Sequence, residues 1–244
     1  MDDCHPQERL IATIATQLAQ SKHVAVGASS PIPASAALLA QHTNPALRVS
    51  LLGSEQHSPF TDGGRELFDC AAQGRIDTFF LSGVQIDGAA NVNLVGIGEY
   101  PNLKKRFAGS FGSAYLYDLV PRVILFCWSH TQSALVNKVD FISAAGPTGD
   151  THFRPGGPAS LVTNRCVFDY NRAKMEFSLA SIHPGESADS VRENTAFGFS
   201  EPANVPATST PTEQVLVTMR TDICQQMLEV YPLFAQKLWL SNAV

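Results

Sequence analysis

Leu10, Ile11, Ile14, Ala15 and Leu18 recur at the helical period, which predicts an amphipathic helix over residues 7–20 with Pro6 in its first turn. His23-Val24-Ala25-Val26 reads instead as a buried strand. It stops at Gly27-Ala28-Ser29-Ser30, and a helical pattern resumes near Pro33 with Ala34, Ala37 and Leu38. A second short run, Arg48-Val49-Ser50-Leu51-Leu52, is cut by Gly53 and followed by Ser54 and Glu55. The polar segment 56–65, with Pro59 and Gly63-Gly64, reads as a surface loop. Residues 78–81 and 123–128 give further strands, the latter apolar enough for the middle of a parallel sheet covered on both faces. Residues 139–142 are expected to form a neighbouring strand.

The pattern changes after Ala145. Gly146-Pro147 and Pro155-Gly156-Gly157-Pro158 mark a loop-rich stretch, and three strands are expected at 160–163, 166–170 and 174–182. The turn candidates Asn164-Arg165 and Asn171-Arg172 would join them into an antiparallel meander. Ser187 is placed to cap a short helix through Asn194, and 196–199 reads as a last strand. The Pro-, Ser- and Thr-rich segment 201–212 is a connection. Thr210-Pro211-Thr212-Glu213 then has a capping-box layout, with Thr210 as cap and a helix through about Asp222. Together these elements predict an α/β fold: a mostly parallel open sheet flanked by helices, with an added antiparallel meander, in a single domain over 1–244.

With 44% hydrophobic residues in 244, the chain can bury a sizeable core. A net charge of -5 and the lack of a Lys/Arg run argue against nucleic-acid binding, and Lys104-Lys105-Arg106 reads as a solvated turn or a site for one anion. No apolar run reaches the ~18 residues that cross a bilayer, and the start Met1-Asp2-Asp3-Cys4 lacks the order of a secretion signal, so no membrane association and a cytoplasmic setting are expected. Cys4, Cys70, Cys127, Cys166 and Cys224 are scattered and form no Cys-x-x-Cys pair. They are expected to be free thiols, and no metal site is expected.

Open α/β sheets bind ligands at the carboxyl ends of their strands. Glu55 follows such an end and is the first candidate. In 83–93, directly after a strand, Gln85 is the candidate for a polar contact with a ligand, whereas Asp87 and Asn91 suit an Asx turn. The loop Gly109-Ser110-Phe111-Gly112-Ser113-Ala114 precedes a helical stretch, where unpaired amides suit an oxyanion or phosphate. Lys138 and Asp140 read as ordinary edge charges.

Several of these segments, in this order, resemble one family. Gly83-Val84-Gln85-Ile86-Asp87 with Asn91-Val92-Asn93, the 109–114 loop, Arg122-Val123-Ile124-Leu125-Phe126, Val136-Asn137-Lys138-Val139-Asp140, Val162-Thr163-Asn164 and Leu179-Ala180-Ser181-Ile182-His183-Pro184-Gly185 are similar to the β subunit of family I coenzyme A transferases, particularly the glutaconate type. The resemblance implies a CoA-transferase-like (NagB/RpiA-like) fold. It also implies an α subunit as partner, in an αβ or α2β2 assembly, with acyl-CoA and a carboxylic acid as substrates and coenzyme A as co-substrate rather than bound cofactor. In that family a glutamate from a Ser-Glu-Asn-Gly-like signature attacks the thioester. Here Ser54-Glu55 stands at that place, followed by Gln56-His57. The resemblance makes Glu55 the nucleophile, and Ser54, Gln85, Gly109, Ser110, Gly112 and Ser113 the positions that bind substrate or CoA. Such chemistry needs a carboxylate with little hydration. The sequence, in the region from Val162 to Gly185 especially, also resembles ring-cleaving CoA-thioester hydrolase subunits of steroid breakdown, which is the alternative reading; a non-catalytic scaffold subunit is the third.

Overall fold

A computed structural model describes residues 4–148 and 153–241; Met1-Asp2-Asp3 lie outside them. The chain divides into two units. One holds the described residues up to Cys70, together with Arg75–Thr78 and the chain from Ser209 onward; the other holds Ala71–Gly74 and Phe79–Thr208.

The first unit begins with α1 (Pro6–Gln17), three residues shorter at its end than its periodicity predicts. His5 caps it: its side chain accepts from the Gln7 amide, and Glu8 reaches back to the His5 amide in a capping box. Leu10, Ile11, Ile14 and Leu18 are buried as expected. Next come β1 (His23–Val26), α2 (Pro31–Thr43), β2 (Arg48–Leu51) and α3 (Gly63–Ala72). β1 and β2 run parallel, with Val26 opposite Leu51. Their carboxyl ends are therefore neighbours, and the Leu52 amide donates to the Val26 carbonyl just beyond them.

The second unit contains a sheet in the order β11-β10-β9-β8-β3. Here β3 is Thr78–Ser82, and the short pairs β4 (Gln85–Ile86) with β5 (Val92–Asn93) and β6 (Gly96–Ile97) with β7 (Lys105–Arg106) follow it. Then come α4 (Ser113–Leu119), β8 (Arg122–Cys127), β9 (Pro158–Thr163), β10 (Cys166–Asn171), β11 (Glu176–Ile182) and α5 (Ala188–Asn194). β8 pairs parallel with β9, and β9, β10 and β11 pair antiparallel in sequence, which is the expected meander. Ser187 caps α5 by accepting from the Ser190 amide.

Two expected strands are absent, each for an identifiable reason. At 139–142 the backbone donors are taken by side chains: the Val139 amide gives its hydrogen to Asp87 Oδ2 and the Asp140 amide to Gln85 Oε1. At 196–199 the apolar pattern belongs to aromatic packing, because Phe197 and Phe199 join Phe168 and Phe177 in one ring cluster.

The chain returns to the first unit as α6 (Glu213–Thr218), a π-helical turn (Met219–Ile223), α7 (Cys224–Val230), α8 (Pro232–Ala235) and a second π-helical turn (Gln236–Leu240). Thr212, not Thr210, caps α6 through the Val215 amide, and the helical run continues beyond Asp222. Arg220 and Trp239, one on each π turn, both donate to Glu8. Glu8 is 2% exposed, and with the His5 amide its carboxylate accepts four hydrogen bonds. A buried carboxylate needs this degree of compensation. No helix among the described residues is long and apolar enough to cross a membrane.

Candidate active site

Leu51 ends β2, and the turn that follows depends on Gly53, whose φ of 90° lies where a side chain would strain the backbone. The Ser54 amide donates back to the Leu51 carbonyl, and the Leu51 amide to the His57 carbonyl, so 51–57 forms a closed loop. Inside it Ser54 is buried, and its Oγ accepts from the His57 amide at 2.9 Å. That same Oγ donates to Glu229 Oε2 at 2.7 Å, and the Glu55 amide donates to Glu229 Oε1 at 2.6 Å. The backbone of the Glu55 loop is thus held from outside by one carboxylate.

The Glu55 side chain itself is exposed. The expectation of a poorly hydrated carboxylate is therefore not met in this chain by itself. The geometry does satisfy the other half of the expectation: Glu55 emerges from a pinned loop at the carboxyl end of a parallel strand. His57 lies two residues on with its ring Nε2 buried and no hydrogen-bond partner for that atom. The neighbouring loop, Gly27-Ala28-Ser29-Ser30, is held in a parallel manner, its Ser30 amide donating to the Tyr231 hydroxyl at 3.1 Å. Sequence reasoning missed Glu229 and Tyr231. They lie beyond the helix it predicted, and the one local signal is Pro232, which ends α7 at Tyr231.

Gln85 and the 109–113 loop belong to the second unit, so the structure divides the sequence-predicted residues between the two. Gln85 is 5% exposed, and its Oε1 accepts from Asn93 Nδ2 at 2.7 Å and from the Asp140 amide at 3.0 Å. Its oxygen is committed to the scaffold of the hairpin. Asp87 forms the expected Asx turn, accepting from the amides of Ala89 and Asn91 and from Asn91 Nδ2. Lys138 is exposed, while Asp140 accepts from the Gly98 amide and so shapes a turn.

The glycine-rich loop turns at Gly109, with φ of 96°, and places Phe111, a residue 84% exposed, in the left-handed region at φ 45°. Gly109, Ser110, Gly112 and Ser113 are half-buried. Two amides expected to face a ligand are used internally: Gly109 donates to the Leu94 carbonyl and Ser113 to the Ser110 carbonyl.

Burial governs the thiols and imidazoles of the second unit. It pushes the Cys127 thiol up to about 11 and the Cys166 thiol up to about 12, so neither is a nucleophile near neutral pH. His130, whose ring nitrogens lie 2.8 Å from Thr163 Oγ1 and Thr195 Oγ1, is drawn down to about 4 by burial and then by the Arg165 charge. Cys70, Cys127, Cys166 and Cys224 are thiols outside any disulfide. Among the described residues no group of three or more His, Cys, Asp or Glu is placed to hold a metal.

Comparison with known proteins adds a family to this geometry. The sequence model of the family described as Coenzyme A transferase matches residues 8–194. The β subunit of the 3-oxoadipate CoA-transferase of Pseudomonas knackmussii is 31% identical over 153 residues, 60% of this chain and 58% of that one. The β subunit of the glutaconate CoA-transferase of Acidaminococcus fermentans is 32% identical over 125 residues, 48% of this chain and 46% of that one. In the crystal structure of that transferase, a chain superimposes with a TM-score of 0.82 at 22% identity, covering 94% of this chain and 98% of that one. The cholesterol ring-cleaving hydrolase IpdB subunit of Rhodococcus jostii is 29% identical over 163 residues, 64% of this chain and 62% of that one. The chain thus spans about half to three fifths of the length of the curated relatives it matches.

Proposed function

The chain belongs to the coenzyme A transferase family, and from that premise we propose that it is the β subunit of a CoA-transferase in which Glu55 is the nucleophile. The observation that carries this reading is the placement of Glu55: a carboxylate at the carboxyl end of β2, with its own amide and the preceding hydroxyl tied down and its side chain left outward. Two of the relatives are subunits of CoA-transferases, which supports transfer over hydrolysis.

In this reading a Glu55 oxygen attacks the thioester carbonyl of an acyl-CoA. The carbon–sulfur bond breaks, CoA leaves as thiolate, and an acyl-glutamyl anhydride remains. The thiolate then attacks the glutamyl carbonyl, expelling the acyl group as a free carboxylate and leaving a glutamyl-CoA thioester. An acceptor carboxylate runs the same two steps in reverse and departs as the new acyl-CoA. Water stabilises a carboxylate and blunts its attack, so the exposed Glu55 requires drying by another surface. An α subunit, in an αβ or α2β2 assembly, together with bound CoA supplies that surface. Ser110, Gly112 and the remaining 109–113 positions are CoA-binding candidates of the second unit, and Gln85 acts by shaping its hairpin. The two units serve one β-subunit-like domain, and thiols left outside disulfides suit a cytoplasmic setting.

The test is chemical trapping on the complex with its α subunit. After incubation with acyl-CoA, borohydride or hydroxylamine should modify Glu55, located by peptide mass spectrometry. Glu55→Ala should lose at least about a thousandfold in kcat. An unmodified Glu55 with full activity in the variant would remove the assignment. Release of free CoA without any acceptor acid would instead indicate a hydrolase.

A further inference from the structure

The last helices carry a feature that the attack itself does not use. Glu229 directs both carboxylate oxygens at one loop, accepting from Ser54 Oγ and from the Glu55 amide. A neutral acceptor would satisfy the same donors; a carboxylate makes both bonds charge-assisted, which shortens and strengthens them. Two residues later the α7 helix breaks, because Tyr231 precedes Pro232 and leaves the helical region at φ -136° and ψ 61°. That break accompanies the second grip, the Tyr231 hydroxyl on the Ser30 amide. The loops after β1 and β2 leave adjacent strand ends, so a three-residue segment holds both.

The position of that segment is itself set from both sides. Arg220 precedes it and Trp239 follows it, and each donates to the buried Glu8 on α1. The Arg220 fork is bidentate, at 2.8 and 2.9 Å, which fixes direction as well as distance. Glu229 therefore cannot drift along or around its helix without disturbing the bonds that Arg220 and Trp239 make to the buried Glu8. The loop it holds carries the one carboxylate whose placement decides the chemistry proposed above.

We propose that Glu229 is a positioning residue for Glu55, with Tyr231 positioning the adjoining loop, so that the helices from α6 to α8 set the line of attack on the thioester. This rests on the reading of Glu55 as nucleophile. Glu229 acts through Glu55: it holds the backbone from which Glu55 extends. A displacement of about 1 Å in a reacting group costs on the order of a hundredfold in rate. Its removal should therefore act on kcat and leave acyl-CoA binding nearly intact.

The experiment compares Glu229→Ala, Glu229→Gln, Tyr231→Phe and Glu55→Ala in the complex with the α subunit. Glu229→Ala should lower kcat by about a hundredfold while KM for acyl-CoA stays within about threefold. Borohydride-trapped Glu55 should appear more slowly by the same factor in a single turnover. Glu229→Gln keeps an acceptor for the Glu55 amide and should recover at least about tenfold of the loss, and Tyr231→Phe should cost about tenfold. If Glu229→Ala does not fold, the Gln and Phe variants carry the test through the same split of kcat from KM. A normal kcat in the Glu229 variants, with Glu55→Ala inactive, overturns the positioning role alone. So does a loss that follows thermal stability and is no smaller in Gln than in Ala. Full activity in Glu55→Ala overturns the nucleophile reading and this proposal with it.

Discussion

Two polar loops, each following a strand, use their residues in opposite ways. In the hairpin of β4 and β5 the side chains face inward: Gln85 and Asp87 commit their oxygens to backbone amides, and Asn93 donates to both Gln85 and the Gly96 carbonyl. In the loop after β2 the backbone is gripped from outside, by Glu229, while the Glu55 carboxylate is left in solvent. The first arrangement builds a scaffold, since a buried polar group is tolerated only when its bonds are made. In the proposed function the second prepares a reagent, since a fixed backbone and an uncommitted carboxylate are what an attack on a carbonyl needs. From sequence the two loops look alike; the direction of their hydrogen bonds separates them.

The contrast should appear most strongly as pH dependence in the second unit, where the His130 ring is buried between two threonine hydroxyls. Burial draws His130 from 6.5 to about 4 in the folded chain. A histidine kept neutral by folding contributes stability that is complete above pH 6.5, declines as pH falls from 6.5 towards 4, and changes no further below that. Urea unfolding should therefore lose about 3 kcal/mol across this window, and His130→Gln should flatten the slope. An unchanged slope in the variant would show that this network does not carry the acid sensitivity.

The direct comparison of the two loops is smaller. Asp87→Ala takes the acceptor from the part-buried amides of Ala89 and Asn91 and from the buried Val139 amide, and should cost about 2 kcal/mol in urea unfolding, whereas Glu55→Gln should change stability by less than about 0.5 kcal/mol. Equal costs would erase the distinction between scaffold and reagent. A third, milder measurement concerns Phe111, an exposed residue at a positive φ. Phe111→Gly should gain up to about 1 kcal/mol if the backbone strain is uncompensated. A marked loss of CoA affinity with that gain would mean that the ring is kept for binding.

Much of the architecture is legible in the sequence because it rests on local periodicity. The runs at 23–26, 48–52 and 123–128 are short and ended by small or polar residues, and each holds a strand, at His23–Val26, Arg48–Leu51 and Arg122–Cys127. The meander is legible from its turn residues. The failures share one cause: the patterns at 139–142 and 196–199 predict sheet, yet their backbone or rings are engaged by residues distant in sequence. The same cause hides Glu229. Nothing near it distinguishes it from any other helical glutamate, and its partners lie 174 and 175 residues away. Glu55 is legible because the strand end and the Ser54-Glu55 pair are local. Its exposure is not, because dryness is a property of surroundings that one chain's sequence does not describe.

Glu8 has a consequence for how this chain is made. Its guanidinium partner is encoded 212 residues later, so a ribosome must finish the whole of the intervening unit before the acid on α1 can be neutralised. Until then α1 lacks its closing helices. Assembly of the first unit therefore waits on translation of the second, and the Glu55 loop gains its grip only after Glu229 has emerged.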